Sequence, residues 1–168
     1  MASRLVRTCR HLLNTPWQVQ RKFSDAALDR IEAAVAAGEQ HHSAELRLAI
    51  EGSLSFSEVM LADLQPRERA IELFAQLQVW DTEANNGVLI YLLLADKDVE
   101  VLADRGAARA LPERVWQHAV ELIRQGFTSG HNEDGVISAV QYLNDELAAV
   151  FPPGAENPDE LPNRPVML

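Results

Sequence analysis

A chain of 168 residues, of which 47% are hydrophobic and 24% are charged, has the composition of one globular domain. Its 25 Asp and Glu residues outnumber 15 Lys and Arg residues, and the net charge of −10 argues against nucleic-acid binding, which depends on neutralising phosphates. The longest apolar run, residues 88–95, is shorter than the about 20 residues of a membrane-spanning helix, so a transmembrane protein is excluded. The single cysteine, Cys9, excludes an internal disulfide and favours a reducing cytoplasm.

The positive charge is concentrated at the N-terminus. Residues 1–24 carry five basic residues and no acid, so the remainder holds 10 basic against 25 acidic residues, a net charge of −15. The five are Arg4, Arg7, Arg10, Arg21 and Lys22. We predict a basic N-terminal arm or helix over residues 1–22 that docks on the acidic body of the same chain. An anionic membrane surface is the alternative, and a mitochondrial presequence is a third interpretation of this acid-free start.

The first half of the body predicts a helix, a strand and a second helix. Ser24 suits the N-cap of the first helix, and Gly38 would end it. Residues 44–51 alternate between two side-chain sets, with leucines and an isoleucine on one face, which is typical of a strand. Pro66 suits the first turn of the second helix. Three strands would make a thin sheet, and residues 53–61 are left open as the place of a fourth.

The second half predicts a hairpin followed by two helices. In order, it contains a polar loop at 81–87, an apolar strand from 88, a turn at 96–97, a returning strand at 99–103, and helices over 112–125 and 132–150. The whole order predicts an α/β protein, a three-layer α/β sandwich in which a small mixed β-sheet carries helices on both faces. This domain is predicted to span residues 23–151, followed by a Pro-rich extended tail over residues 152–168 that lies outside the core.

One combination of residues resembles the TPM domain family. It consists of Trp80, the run Asn86-Gly87-Val88-Leu89, the hairpin and a glycine turn at Gly106, within a resemblance that covers residues 24–151. The resemblance implies an α/β sandwich, acid-phosphatase activity as in some members, and divalent-cation binding, calcium in particular, as in others. Family members usually carry Asp at the position of Asn85, and usually Gly-Tyr-Gly where this chain has Asp104-Arg105-Gly106. The chain shows neither the secretion signal nor the C-terminal anchor common in the family, which indicates a short, soluble cytoplasmic branch.

The polar loop before the second strand is the candidate site. Because the hairpin strands are antiparallel, the start of one and the end of the other meet at one edge of the sheet. The candidate metal ligands there are Asp81, Glu83, Asn85, Asn86 and Asp104, and Arg105 is the candidate phosphate-binding residue. Calcium prefers such carboxylate and amide oxygens. Two alternatives stay open: a solvated turn in which Gly87 frees the backbone, and neutralisation of the carboxylates by Arg105 without any metal.

Two histidine-containing segments are weaker candidates for a catalytic or metal-binding role. His41 and His42 are predicted to face solvent between a helix and a strand, although imidazole could ligate a transition metal. The run of residues 131–134 is acidic at the start of a helix, where negative charge favours the helix dipole, so it is predicted to cap that helix.

Three functions remain open. The favoured one is a TPM-like domain acting as a divalent-cation-binding interaction module, with a protein partner in a membrane-associated assembly and no turnover. The second is a metal-dependent acid-phosphatase-like hydrolase, whose activity is expected to be weak or absent because Arg105 is the only base at the site. The third is an inert scaffolding domain. Calcium or another divalent cation is the expected cofactor, and the expected location is the cytoplasm, with the membrane periphery as an alternative.

Overall fold

The structure is a computed structural model that describes residues 2–14, 16–154 and 157–168. Residues 1, 15 and 155–156 of the predicted N-terminal arm and C-terminal tail lie outside the described residues. The helices are α1 (Ala2–Leu13), α2 (Pro16–Lys22), α3 (Asp25–Glu39), α4 (Pro66–Gln76), α5 (Arg105–Ala110), α6 (Glu113–Ser129) and α7 (Asn132–Val150). The strands are β1 (Leu46–Glu51), β2 (Val88–Leu93), β3 (Asp98–Ala103) and β4 (Val166–Met167), and a π-helical turn spans Ser57–Leu61.

The strands form one mixed sheet in the order β3-β2-β1-β4. β1 is parallel to β2 and to β4, while β2 and β3 are antiparallel. Val88 lies opposite Leu46 on one side and Ala103 on the other, so β1 and β2 begin where β3 ends. We call this end of the strands the Glu45 edge (residues 45, 86–87 and 104), and the opposite end, at the β2–β3 turn, the Asp96 edge (residues 94–97).

Both faces of the sheet are covered by helices. Leu48 and Ile90 belong to a core cluster that includes buried residues of α3, α6 and α7. Leu89 and Tyr91 belong to a second cluster that includes buried residues of α4 and of the π-helical turn. Every residue of β2 is buried, as expected for a central strand covered on both sides. The predicted three-layer α/β sandwich with a small mixed sheet is confirmed.

The C-terminal tail differs from its sequence-based prediction. Leu161 is buried in the second core cluster, and β4 extends the sheet by pairing with β1 at Ala49 and Ile50. The fourth strand is therefore supplied by the tail, while the segment near residues 53–61 forms the π-helical turn instead. No strand forms at residues 53–61, the place left open for one, because the pairing position beside β1 is taken by a segment more than 100 residues away in sequence.

The start of α3 agrees with its sequence-based prediction, and the end of α6 does not. Ser24 caps α3 as predicted, with its hydroxyl oxygen accepting the N–H of Ala27 at 3.2 Å. α6 does not end at Gly126 but continues to Ser129, and Gly130 follows it with a φ of 80°, a conformation that favours glycine. Within the described ranges, no helix is both long and apolar enough to cross a membrane.

Candidate functional site: an acidic pocket at the Glu45 edge

The sequence-predicted loop lies at the Glu45 edge and contains a residue in the left-handed conformation. Asn85 has a φ of 53°, and its backbone oxygen accepts the N–H of Gly106 at 2.8 Å, which holds the loop against the start of α5. Gly87 does not have a positive φ; it is needed because a β-carbon there would collide with the backbone oxygen of Val79. The glycine therefore allows a close approach of two backbones rather than an unusual dihedral angle.

The predicted ligands Asn86 and Asp104 are held at this edge by different partners. The amide of buried Asn86 donates to the backbone oxygen of Ser43 at 2.7 Å, on the β1 side of β2. Asp104 caps α5 on the β3 side, with its Oδ1 accepting the N–H of Arg105 at 2.7 Å. Asn86 Oδ1 and Asp104 Oδ2 are buried and have no hydrogen-bond partner among the described residues.

The other predicted residues are exposed and point to separate neighbours. Asp81 lines a shallow cavity with Arg47, while the backbone N–H of Glu83 donates to the carboxylate of Glu160 at 3.0 Å. Arg105 is exposed and makes no ion pair with any described residue. Asp81, Glu83 and Asp104 do not form a group whose ligand atoms lie within 4.8 Å of one another in the described part of the chain. Metal binding by this loop stays a prediction.

A different group of carboxylates does come together at the same edge. Glu39 at the end of α3, Glu45 just before β1, and Asp159 in the tail each offer an oxygen, and these oxygens lie within 4.8 Å of one another. They line a cavity of about 410 Å³ together with Asn157 and Asn163. Glu39 is 9% exposed and Glu45 is 4% exposed, so two of the three carboxylates are buried.

Local hydrogen bonds fix the two buried carboxylates in the pocket. Glu39 Oε1 accepts the N–H of Leu46 at 3.2 Å, so the end of α3 is tied to the start of β1. Glu45 Oε2 accepts the N–H of Leu161 at 3.1 Å, which ties β1 to the tail. Glu39 Oε2 and Asn163 Oδ1 are buried without a hydrogen-bond partner among the described residues. The pocket thus presents two oxygens whose bonding capacity is unused.

The two buried carboxylates of the pocket have pKa values well above the usual range. Burial, and then the charge of Glu45, raise the pKa of Glu39 to about 8. Burial raises the pKa of Glu45 to about 7, although backbone N–H groups at Leu161 and Glu160 oppose this rise. Among the described residues, no lysine, arginine or histidine pairs with Glu39, Glu45 or Asp159. By contrast, buried Glu51 is held by Arg69 at 3.0 Å and by the Tyr91 hydroxyl at 2.6 Å.

The backbone of the tail is anchored beside this pocket. The Asn157 amide donates to the backbone oxygens of Glu39 at 2.7 Å and His42 at 3.1 Å. The Arg47 guanidinium donates to the backbone oxygens of Pro162 at 2.5 Å and Arg164 at 2.6 Å. These bonds hold Asp159 near α3 and β1. The third carboxylate of the pocket is therefore positioned by tertiary contacts of the tail.

The two histidines behave differently from each other. His41 is exposed, as predicted, but the prediction was wrong for His42, which is fully buried. Its Nδ1 lies 2.9 Å from the backbone oxygen of Ala44 and its Nε2 lies 3.1 Å from Asn144 Oδ1 on α7. Burial lowers the pKa of His42. His42 thus ties the α3–β1 connection to α7 and is outside the acidic pocket.

Sequence reasoning missed all three carboxylates of the pocket. Glu39 and Glu45 flank the α3–β1 connection, and the alternation of residues 44–51 is explained by a strand without any role for Glu45. An acid at the end of a helix is unfavourable for the helix dipole, so Glu39 was a local signal that something else holds it there. Nothing in the local pattern linked either residue to Asp159, more than 100 residues later.

Comparison with known proteins identifies the family of this fold. Comparison with curated proteins finds no sequence match. Among solved structures, the chain is similar to the NMR structure of the BA42 protein from the psychrophilic bacterium Bizionia argentinensis, with a TM-score of 0.77 and 25% sequence identity over 87% of this chain and 95% of that chain. The sequence model of the TPM domain matches residues 20–146, which include Glu39, Glu45 and the predicted loop but not Asp159. The chain therefore belongs to the TPM domain family.

Proposed function

We propose that this protein is a divalent-cation-binding module and that the cation is held by Glu39, Glu45 and Asp159. The observation that carries the proposal is the meeting of three carboxylates within 4.8 Å with no cationic side chain among the described residues to neutralise them. Calcium and magnesium take oxygen ligands of this kind, and calcium accepts irregular arrangements of carboxylate and amide oxygens. Asn163 lies beside the cluster, where its amide donates to Asp159 Oδ2 at 3.2 Å, and its buried Oδ1 is the fourth protein oxygen that we propose for the ion.

The charge balance of the pocket supports a cation rather than an empty cluster. Burial is the main reason that the pKa values of Glu39 and Glu45 lie near neutrality, and the neighbouring carboxylates raise them further. A bound divalent ion would offset the repulsion between these carboxylates and would favour the ionised form of both groups. Cation binding at neutral pH would therefore release protons from the pocket.

The proposal concerns binding without turnover. Transfer of a phosphoryl group requires concentrated positive charge at the site, and the described residues lining the pocket include no lysine or arginine. The acid-phosphatase alternative thus has no local support, and we expect negligible hydrolysis of an aryl phosphate with or without calcium. A module of this kind would bind a protein partner in its ion-bound state, and the partner would contact the tail that carries Asp159.

The decisive experiment is a cation titration of the purified full chain. After removal of bound ions with EDTA, we expect CaCl₂ at ten times its dissociation constant to stabilise the fold by about 1.4 kcal/mol, which is a rise in melting temperature of about 3–5 °C for a chain of this size. Isothermal titration calorimetry in two buffers of different ionisation enthalpy would measure the proton release. MgCl₂ and an NaCl sample of equal ionic strength separate specific binding from screening.

Matched variants decide which carboxylates hold the ion. Glu39→Gln and Asp159→Asn should each abolish the calcium-dependent rise while leaving the fold intact, because each removes a repelling charge. Asp81→Asn removes an exposed carboxylate from the same edge and should leave the rise unchanged. Loss of the rise in Asp81→Asn but not in Glu39→Gln would place the ion in the loop predicted from sequence. No rise and no binding heat with either cation would favour the inert scaffolding domain.

A further inference from the structure

The N-terminal helix α1 packs with its polar face toward the protein. Thr8 and His11 are buried on that face, where His11 Nδ1 accepts the backbone N–H of Leu54 at 2.9 Å. Its Nε2 lies 3.1 Å from Asp96 Oδ1, and Arg7 donates to Asp96 Oδ2 at 2.8 Å. These contacts with the Asp96 edge fix the rotation of α1 about its own axis. The predicted intramolecular docking of the basic segment is thus present in the structure.

The opposite, apolar face of α1 points away from the protein. Leu12 is 65% exposed and Leu13 is 72% exposed, and Trp17 at the start of α2 is 66% exposed. Leu5 and Val6 on the same helix are also more than half exposed. An amphipathic helix normally buries its apolar stripe, so this orientation leaves an apolar surface without a partner in the described chain.

Basic side chains border this apolar surface. Arg10, Lys22 and Lys97 line a cavity of about 290 Å³ together with the exposed Leu13. Lys22 and Lys97 make no ion pair with any described residue, whereas Arg10 has only a 4.0 Å approach to Asp96, whose carboxylate is already held by Arg7. Partial burial is the main cause that lowers the pKa of Lys22, and the nearby charge of Lys97 lowers it further. Positive charge and apolar surface therefore meet at one place.

We propose that α1 and the start of α2 dock on an anionic lipid bilayer, with Arg10, Lys22 and Lys97 at the phosphate level and Leu12, Leu13 and Trp17 in the interface. The choice of a membrane rests on charge complementarity. The chain outside residues 1–24 carries a net charge of −15, which opposes docking of the acidic body on anionic lipid, whereas the basic side chains of this corner favour it. Trp and Leu beside Arg and Lys are the composition of helices that lie in the membrane interface.

The test is co-sedimentation of the full chain with vesicles in the presence of EDTA, which prevents divalent ions from bridging protein and lipid. We expect binding to phosphatidylcholine vesicles that contain about a third phosphatidylglycerol, loss of most of that binding at about 0.5 M NaCl, and little binding to phosphatidylcholine alone. The double variant Lys22→Gln/Lys97→Gln should reduce partitioning about 20- to 30-fold. Leu12→Ser/Leu13→Ser should reduce it as strongly, while the exposed control Ile71→Ser should not.

Tryptophan fluorescence gives a second readout that folding defects would not mimic. Trp17 and Trp80 are both exposed, but only Trp17 lies in the proposed surface. Addition of anionic vesicles should shift the emission of the wild type to the blue. This shift should be lost in Trp17→Phe and kept in Trp80→Phe, with unchanged circular dichroism in both.

Several outcomes would overturn the proposal. They are equal binding to neutral and anionic vesicles, equal loss in Trp80→Phe and Trp17→Phe, and undiminished binding of the double lysine variant. Stabilisation by inorganic phosphate without vesicle binding would assign the basic cavity to a free anion instead. A dimer that dissociates in Leu12→Ser/Leu13→Ser, again without vesicle binding, would make this surface an interface between two copies of the chain. Because EDTA is present throughout, none of these results depends on the proposed cation site.

Discussion

Asp96 and Glu39 are buried carboxylates at opposite edges of the same sheet, and their surroundings shift the two pKa values in opposite directions. Burial tends to raise the pKa of Asp96, but contacts with His11 and Arg7 lower it to about 2. Burial and the charge of Glu45 raise the pKa of Glu39 to about 8. The two carboxylates differ in the side chains that surround them. An arginine and a histidine of α1 lie beside Asp96, whereas a third carboxylate, from the tail, lies beside Glu39 and Glu45.

Burial alone therefore does not determine the role of an acidic residue in this fold. A buried carboxylate with its own cation is a structural anchor, and the Asp96 pair fixes α1 on the body. Buried carboxylates whose neighbours are further carboxylates need an ion or protons to be stable at neutral pH. The two edges therefore carry different functions: one orients the N-terminal helices, and the other is a candidate ion site.

The largest expected effect comes from breaking the Asp96 anchor. Asp96→Asn leaves the Arg7 charge without its carboxylate in a site where the arginine side chain is only 15% exposed. We expect the free energy of unfolding in urea to fall by about 3 kcal/mol. The control Asp98→Asn removes a carboxylate of the same turn whose partner, Arg124, is exposed, and should cost less than about 1 kcal/mol. Equal losses in the two variants would contradict the anchor.

The next effect is the pH dependence that Glu39 imposes. Because its folded pKa of about 8 exceeds the usual value of 4.5, the folded state binds more protons than the unfolded state between these values. Stability should therefore fall as pH rises from about 4.5 to 8, and Glu39→Gln should raise the free energy of unfolding at pH 8 by about 2 kcal/mol.

Asp96 gives the opposite sign and is the internal reference. Its lowered pKa adds stability that is present above the usual value of 3.8 and is lost as pH falls toward about 2. Urea unfolding of wild type and Glu39→Gln across pH 2–8.5 separates the two contributions. Parallel pH profiles for the two proteins would refute the raised pKa of Glu39.

A smaller effect comes from competition between calcium and protons for the carboxylates of the pocket. Calcium needs ionised carboxylates, so its stabilisation should be greater at pH 8 than at pH 6 by about 1 kcal/mol, measured by melting temperature in matched buffers. Asp159→Asn should remove this difference. A calcium effect independent of pH would indicate that the ion does not bind at Glu39 and Glu45.

The smallest effect tests the alternative that Arg105 neutralises the predicted loop. Arg105 is exposed and unpaired among the described residues, so Arg105→Ala should change the free energy of unfolding by no more than about 0.5 kcal/mol. The exposed Arg109 on the same helix is the matched control. A larger loss of unfolding free energy in Arg105→Ala than in Arg109→Ala would indicate that Arg105 neutralises the carboxylates of the predicted loop.

Much of the fold could be predicted because its signals are local. The Ser24 cap, the alternation in β1, the apolar run of β2 and the stripe of α7 each report on neighbouring residues. The helix end at Gly126 was misplaced because glycine at this point lets α6 approach α7 closely, and a short sequence window does not distinguish that role from a stop.

The sequence was enough to predict at which edge of the sheet the candidate site lies, but not which residues form it. The hairpin turn fixes β2 and β3 antiparallel, so the meeting of residues 86–87 with Asp104 followed from sequence, and the structure places them there. The ligand set did not follow, because the carboxylates of the pocket come from α3, the start of β1 and the tail. Long proline-containing tails show no periodicity, so the return of residues 157–168 to the sheet left no local signal.

Local patterns in the sequence were enough to predict four of the helices, the three strands of the sheet core, the family resemblance and the separation of a basic N-terminus from an acidic body, since all of these depend on composition and on neighbours in the chain. Which charges meet depends on the tertiary structure. It paired Asp96 with Arg7 and His11, turned the apolar face of α1 to the outside, and set Asp159 beside Glu39 and Glu45. Contacts between residues distant in sequence depend on how the helices and the tail pack on the sheet, and that packing is not encoded in any single segment.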